Sequence, residues 1–540
     1  MPHVRRSMRI TIEATPEVVR RALINELGLT SADAHGPADA PDTAGVLTGP
    51  LAGMPDTTAT LTAEINATDD SDASSLVTLT ASSPVRVPFF TWFVQLQAWL
   101  AARRALPHAA ARLVAAIDGS PPPPPVRHLP LVPPVAFTTD QAARLSALAA
   151  IAVVANFSGS LLTQNGDAVT RAFDRSDQAL GVALAIARAG VLVSLVVIAL
   201  ADRLGRRRLT LYALVGACVA NALAAAAPTF EVFTAAQLLT RALVNAVLIV
   251  AGIAAVEEAP EGARAFAAGM YALALGAGYG VSVMLLPLAD LGSYGWRISF
   301  GLSAATVLLV PLLARHVQET RRYERVAQRG TRRGTPREVF ARVYGNRFLV
   351  LGLAAFLTNV FSAPSSQLTN RYLTRSHGFS NSNVALFRVV TAGLPGIGGV
   401  LLASKIAETR GRRRVTIIGL LIGTAGQVAF FLAGDNVLLW VAPTIAIVAA
   451  ACAGLALGTL DAELFPTKVR GTSNGFILVS AVAGSAVGLV LATQLKNAMG
   501  GLGPAIAVCG VATLAAAVFV VPRLPETAAR QLDDVSPSEL

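Results

Sequence analysis

The pattern of apolar and polar positions changes near residue 140. From about Ala142 onward, apolar stretches of 19–25 residues alternate with short polar connections. They fall near 142–164, 178–200, 209–227, 232–256, 264–287, 296–314, 347–367, 384–403, 414–433, 438–460, 472–494 and 502–521. Each is long enough to cross ~30 Å of hydrocarbon at about 1.5 Å per residue. Backbone amides and carbonyls in hydrocarbon must be satisfied within their own segment, so twelve transmembrane helices are predicted.

Residues 1–120 follow a different rule. Met8–Ala14 alternates as a strand does, and Thr15-Pro16-Glu17 is a helix-start signal before Val18–Leu27. Thr58–Asn66 and Ser75–Ser82 alternate again around a polar turn at Asp69–Asp72. A helical stretch then runs from about Phe89 to Ile117. Its Phe89, Phe90, Trp92, Phe93 and Trp99 either belong to a core, line a groove for a lipid or aromatic ligand, or lie on a bilayer surface. Pro121–Pro125, with Pro130, Pro133 and Pro134, favours stiff polyproline II, so 121–140 reads as a linker. Met1–Arg9 is basic, but the apolar run of a secretory signal does not follow, so the N-terminus is expected in the cytoplasm.

Composition agrees with this division. The 540 residues are 53% hydrophobic and 14% charged, against about 25% charged in a soluble chain. That points to a membrane solvent and away from a nucleic-acid partner. The net charge of +11 is mostly Arg, and its distribution sets orientation. One set of connections holds Arg203, Arg206–Arg208, the Arg-rich 315–347 segment, Lys405, Arg410, Arg412–Arg414, Lys468 and Arg470. The other holds Arg171, Arg175, Arg297, Arg371, Arg375 and Lys496. The first set is expected inside, which puts both termini in the cytoplasm. Cys218, Cys452 and Cys509 sit in apolar runs without paired spacing and read as small apolar residues.

An internal repeat is visible in the motifs. Asp202-Arg-Leu-Gly-Arg-Arg-Arg208 recurs as Glu408-Thr-Arg-Gly-Arg-Arg-Arg414, shifted by 206 residues. At the same shift, Glu257, Pro260, Arg264 and Gly269 recur as Glu463, Pro466, Arg470 and Gly475, and Phe173, Ser176, Ala179 and Leu180 as Phe379, Ser382, Ala385 and Leu386. Glu319-Thr320 answers Glu526-Thr527 at 207. Four matches in order predict two six-helix halves, 141–314 and 347–522, joined by a basic loop at 315–346 and followed by a tail at 523–540.

On these residues the chain resembles the major facilitator superfamily over roughly 140–530. Ala201–Arg208 is similar to that superfamily's loop between helices two and three. Glu463-Leu-Phe-Pro466-Thr-Lys-Val-Arg470-Gly471, Pro525-Glu526-Thr527 and Gly295-Trp296-Arg297 resemble its sugar-porter and metabolite:proton-symporter branches. The glutamine-rich sugar-porter signature on helix seven is replaced by Asn359-Val-Phe-Ser-Ala-Pro-Ser-Ser-Gln367. The front segment, opening Ile10-x-Ile12-x-Ala14-x-Pro16-x-x-Val19, resembles a polyketide-cyclase-like (START-type, SRPBCC) helix-grip domain over about 110 residues, at which length one or more strands would be missing. The fold class expected is therefore an all-α membrane protein of twelve helices in two pseudo-repeats, preceded by a small α+β cytoplasmic domain at 1–120.

The resemblance implies alternating access between two rocking halves, and the motifs suit a latch of a few kcal/mol. Gly205 and Gly411 would allow tight turns, with Asp202 pairing to Arg206 or Arg207 and Glu408 to Arg412 or Arg413. Glu257 with Arg264, and Glu463 with Arg470, would add ion pairs at the next turns. The plainer reading of all these charges is topology alone, with exposed pairs worth ~0–1 kcal/mol each.

Ionisable and amide side chains at membrane depth are the candidates for handling substrate and coupling ion. Arg188, Arg241 and Arg388 fall in apolar stretches, and cavity arginines favour an anionic substrate such as a carboxylate. Arg241 matches the arginine that opens the helix-four motif of the resembled superfamily, where it is linked with proton coupling. Asn156, Gln164 and Asp167 interrupt the first helix, and Asp167 is either a titrating site or, near the outer end, simply solvated. Asn359 and Gln367 lie on a polar face of helix seven broken by Pro364 and serve either substrate contact or helix packing.

No metal-ligand spacing, phosphate loop or nucleophile–base set appears, so neither an enzyme nor a cofactor is expected. The reading is a monomeric, proton-linked secondary transporter of a small organic solute, a carboxylate or sugar-like metabolite, in a bacterial inner membrane. A drug or waste exporter of the same fold is one alternative. The other is a sensor whose front domain binds a ligand.

Overall fold

The computed structural model describes residues 3–31, 46–51, 54, 58–67, 74–84, 87–124, 129, 131–199, 205–260, 262–318, 342–399, 402, 406, 411–434, 437–464 and 467–526. Packing divides the chain into two compact units. One comprises Met1–Ala150 with Gly252–Ala272 and Arg315–Gln318, the other Ile151–Ala251, Leu273–Ala314 and Glu319–Leu540.

In the first unit, β1 (His3–Ile12), β2 (Thr30–Ser31), β3 (Val46–Pro50), β4 (Thr60–Ala67) and β5 (Ser75–Pro84) form an antiparallel sheet in the order β1-β5-β4-β3-β2. Helices α1 (Pro16–Leu27) and α2 (Thr91–Asp118) pack on it. Alternation along β5 buries Val77, Leu79 and Ala81, which meet Ala98, Ala101, Ala102, Leu106 and Ala109 of α2 in one core. Small side chains at helical spacing let the long helix approach the sheet closely. The sheet thus has five strands. β3 is not legible in the sequence because five residues ending in Gly49-Pro50 are too few to show alternation.

The aromatic stripe of α2 is not core. Trp92 is 66% and Trp99 42% exposed, with the Arg6 and Arg103 guanidinium groups stacked over Trp99. The opposite side of α2 is held: Gln97 donates to the Leu131 carbonyl at 2.8 Å and to the Met270 sulfur at 3.7 Å. Phe89 meets the His316 ring edge-on. Nearby, Arg144 pairs with Glu258 at 2.7 Å and donates to Gln318.

The long helices are α3 (Thr139–Ala172), α4 (Asp177–Ala199), α5 (Arg206–Ala226), α6 (Phe230–Glu258), α7 (Arg264–Met284), α8 (Gly295–Ala305, running on to His316), α9 (Arg342–Gln367), α10 (Thr369–Ser376), α11 (Asn381–Arg388), α12 (Arg412–Leu432), α13 (Val437–Glu463), α14 (Thr467–Gln494) and α15 (Leu502–Ala515). Among the described residues, 11 helices are long and apolar enough to cross a membrane. The predicted span 384–403 is described as α11 followed by a π-helical turn, Val389–Gly393. Pro395, which has no N–H to offer the preceding turn, explains the loosened winding there.

Glycines repeat with the helices. A Cβ on Gly278 would overlap the Val153 carbonyl, and one on Gly484, 206 positions later, the Phe356 carbonyl. The same close approach of backbones therefore recurs in both halves.

Candidate functional site

Two groups of polar side chains lie inside the second unit. The first is an ion cluster at the end opposite the arginine-rich loops. Arg371 of α10 donates to Asp167 of α3 at 3.1 Å, to the Thr170 hydroxyl at 2.5 Å, and to Asp177 at the start of α4. Lys496, beyond α14, pairs with the other oxygen of Asp177, while Arg171 and Arg375 reach Asp167 at 2.9 and 3.1 Å. Asp167 and Arg371 are 4% and 5% exposed, so Asp167 is not the solvated acid that its terminal position allowed. The acids come from the first repeat and Arg371, Arg375 and Lys496 from the second.

Asp290, in the turn after α7, accepts from the Asn381 and Ser382 backbone N–H groups at 3.3 and 3.1 Å and from both of their side chains. A carboxylate of one repeat thereby caps a helix of the other, satisfying N–H groups that an N-terminus leaves open. Gly181 of α4 lies so close to α14 that a Cβ would stand 3.0 Å from the Leu489 carbonyl. One end of the two repeats is closed by charge, cap and packing together.

The second group lies deeper. Arg188 of α4 and Arg241 of α6 line one small cavity of about 10 Å³ with Gly159, Gln237, Thr240 and Gln367, room for about one water. Gln367, its amide oxygen turned to the guanidinium, accepts from Arg188 at 2.8 and 2.9 Å. Arg241 donates to the Gly159 carbonyl at 3.1 Å. Arg388, at the junction of α11 with the π turn, donates to Asn370 at 2.9 Å and to the Ser366 carbonyl at 3.0 Å. Asn370 in turn donates to the Gln164 side chain at 2.8 Å. The three arginines thus have neutral partners among the described residues. The Arg188 and Arg241 guanidinium groups are withdrawn from bulk water with no counter-charge among the described residues, which favours any anion that enters, while Arg388 is half-exposed.

Asn156 and Asn359 stand elsewhere. Asn156 donates to the Leu275 carbonyl at 2.7 Å, joining α3 to α7, and Asn359 accepts from Ser485 at 3.2 Å, joining α9 to α14. Both hold helices together; neither lines the cavity with the arginines.

At the arginine-rich end, Gly205 and Gly411 have φ of 86° and 88°, the left-handed turn expected of both. Asp202 and Glu408 lie outside the described residues, as do the side chains of Glu463 and Arg470. In the second repeat Glu526 accepts from the Arg412 and Arg413 backbone N–H groups at 2.8 and 3.1 Å, capping α12. Arg413 also reaches the Leu524 carbonyl, and in the first repeat Arg207 reaches the Ala314 carbonyl at 2.9 Å, the same tie between matching helices. Arg264 is exposed, and Glu258, next to Glu257, pairs with Arg144 at 2.7 Å.

Sequence reasoning misses Arg371, Asp177, Lys496 and Asp290 as members of a site. By position alone, Arg371 and Lys496 are only sparse charge on outer connections. Their signal is complementarity: acids end one repeat's helices where cations end the other's.

Comparison with known proteins places this geometry in a family. The model of the Major Facilitator Superfamily matches residues 145–461 and 368–537. A probable 4-methylmuconolactone transporter of Cupriavidus pinatubonensis is 29% identical over 359 residues, 63% of this chain and 80% of that protein. Among solved structures, the inward open xylose transporter XylE from E. coli aligns with a TM-score of 0.60 at 14% identity, over 72% of this chain and 98% of that one. A bacterial homolog of the human lysosomal transporter Spinster aligns at 0.57 and 19% identity, over 71% and 95%. With two matching repeats of membrane helices and a family model that spans both, the chain belongs to the Major Facilitator Superfamily and is a secondary transporter, not an enzyme.

Proposed function

We propose that the protein carries a small organic anion across a bacterial inner membrane by alternating access, coupled to protons. The observation that carries this reading is the set of three arginines, Arg188, Arg241 and Arg388, held in membrane helices by neutral partners among the described residues. Arginine at such depth costs at least ~2.5 kcal/mol on insertion scales and is retained where it meets a partner or a wet path. A carboxylate supplies the missing charge. The metabolite named for the Cupriavidus relative makes small catabolic acids and lactones the first compounds to try.

In this reading twelve helices span the membrane with both termini in the cytoplasm. The cluster of Asp167, Arg371, Asp177 and Lys496, with the Asp290 cap, is the outer gate in its closed state. The glycine turns at Gly205 and Gly411, with Asp202 and Glu408 beside them, belong to the inner gate, where Glu257–Arg264 and Glu463–Arg470 would add to the latch. Residues 1–120 form a helix-grip domain of START type, a reading supported by the strand, helix, strands and long final helix in that order.

The test is flux in liposomes with an external pH probe. Adding one member of a carboxylate panel should alkalinise the outside, and Arg241→Gln should abolish the signal. Uptake of cations or neutral sugars with no carboxylate transported would overturn the anion reading.

A further inference from the structure

One side of α9 and α10 makes a row of contacts with the first repeat. Gln367, at the end of α9, meets Arg188; Asn370 meets Gln164; Arg371 and Arg375 meet Asp167. These positions follow helical spacing, and Pro364, one turn before Gln367, gives the segment a place to bend. Arg371 and Arg375 belong to the ion cluster of the closed end, and Gln367 is the innermost of the row. The movement that brings the cluster together therefore also brings Gln367 onto Arg188.

Gln367 is buried, and its amide oxygen accepts from both Nε and Nη2 of Arg188 at 2.8 and 2.9 Å. Those donors form one edge of the guanidinium, an edge that a carboxylate also takes. The cavity has room beside them for about one water, so a cargo carboxylate reaches this edge only when the Gln367 carboxamide leaves it. A carboxamide has nearly the shape of a carboxylate and keeps an acceptor oxygen, but lacks the charge that strengthens the bond. The second repeat thus offers a cation of the first an acceptor that an anion can replace.

A carrier that moves its cargo in one net direction closes its outer end both loaded and empty. Empty, it would bury the Arg188 edge with no acceptor, which is unfavourable away from water. We propose that the Gln367 carboxamide stands in for the cargo's carboxylate on Arg188 and so lets the empty carrier close its outer end. With cargo aboard, the carboxylate takes the same edge and Gln367 swings aside. The proposal rests on the anion reading above and adds how the empty transporter returns. The place it uses lies between the repeats, as rocking of two halves about a shared site requires.

The test reads closure of the outer end. Thr493 of α14 is buried against Gly181 of α4 and bonds to carbonyls of its own helix, so Thr493→Cys reports separation of the repeats there. Full-length protein carrying it, in liposomes without cargo, is labelled with a membrane-impermeant maleimide. The native cysteines are buried, and protein without Thr493→Cys gives the background. With Gln367 in place, labelling should be slow. Gln367→Ala should speed it at least about tenfold, the worth of a charge-assisted bond. Sodium acetate, small enough for the vacated space, should restore the slow rate in Gln367→Ala but not in Gln367→Ala/Arg188→Gln. Gln367→Glu, a fixed carboxylate, should label slowly with or without acetate. If Gln367→Ala loses its cooperative thermal transition, Gln367→Met, which keeps the volume and drops the amide oxygen, should label fast and replaces it in the comparison with Gln367→Glu. Slow labelling of the alanine and methionine variants, or fast labelling of Gln367→Ala that acetate leaves unchanged, would overturn the stand-in. Carboxylate-driven proton flux in the wild type would then leave the anion reading standing. Absence of that flux for every carboxylate of the panel would overturn both.

Discussion

Asn370 and Gln164 are hydrogen-bonded to each other and stand 206 residues apart, the same shift that relates the two repeats. Residues related by a two-fold meet only where its axis passes, so these amides mark the pseudo-symmetry axis between α3 and α9–α10. Asn370 also accepts from Arg388 of α11 at 2.9 Å.

Gln164→Leu should therefore remove one of the two bonds that Asn370 makes to Gln164, keeping the one to the backbone carbonyl at 3.1 Å. A loss of about 0.5–1.5 kcal/mol is expected. The double variant Gln164→Leu/Asn370→Leu should cost less than the sum of the singles in a thermal-unfolding cycle. Strict additivity would mean that the bond is not made.

Arg371→Gln removes the cation that both Asp167 and Asp177 face. Breaking a buried pair from one side costs about 3–5 kcal/mol where the other charge is left stranded, and less is expected here because Lys496 still faces Asp177 while Arg171 and Arg375 still reach Asp167. The melting temperature should fall clearly, and combining Arg371→Gln with Asp167→Asn should recover part of the loss. If the cluster is an outer gate, the single variant should also expose sites between α3 and α10 to membrane-impermeant thiol reagents.

Gly411→Ala places a Cβ 2.8 Å from the Glu526 carboxylate at a φ of 88°, strained on both counts. About 1–2 kcal/mol of destabilisation is expected. Glu526→Gln keeps an acceptor but loses the charge at the α12 N-terminus, and should cost less than about 1 kcal/mol, the size of a helix-end charge effect. Uptake rates and melting curves for the pair would show whether the turn or the charge matters more.

Arg188→Gln should lower the affinity for an anionic cargo more than the melting temperature. Neutralising an uncompensated buried cation removes a desolvation cost as well as a binding contact. Protein that melts at or above the wild-type temperature yet transports poorly is the expected phenotype. A variant that transports normally would remove Arg188 from the path.

Much of the architecture is legible in the chain. Apolar runs of membrane-spanning length predict helices because hydrocarbon leaves a backbone no other partner. The alternation of β4 and β5 and the glycine turns at Gly205 and Gly411 follow from local geometry in the same way. The 206-residue repeat is enough by itself to divide the helices into two halves. What sequence does not decide is which polar groups meet. By position, Asp167 is a helix-end acid, Arg371 and Lys496 are topology markers, and Asn156 is a path residue. Trp92 and Trp99 are equally fit for core or surface. Those distinctions depend on contacts between segments about 200 residues apart or on which face of a helix is covered. The sequence by itself determined the helices and their pairing into repeats, since these rest on each segment's own solvation. Only the tertiary structure decided the ion cluster and the neutral partners of the arginines, because burial and counter-charge are properties of a neighbourhood that no single segment contains.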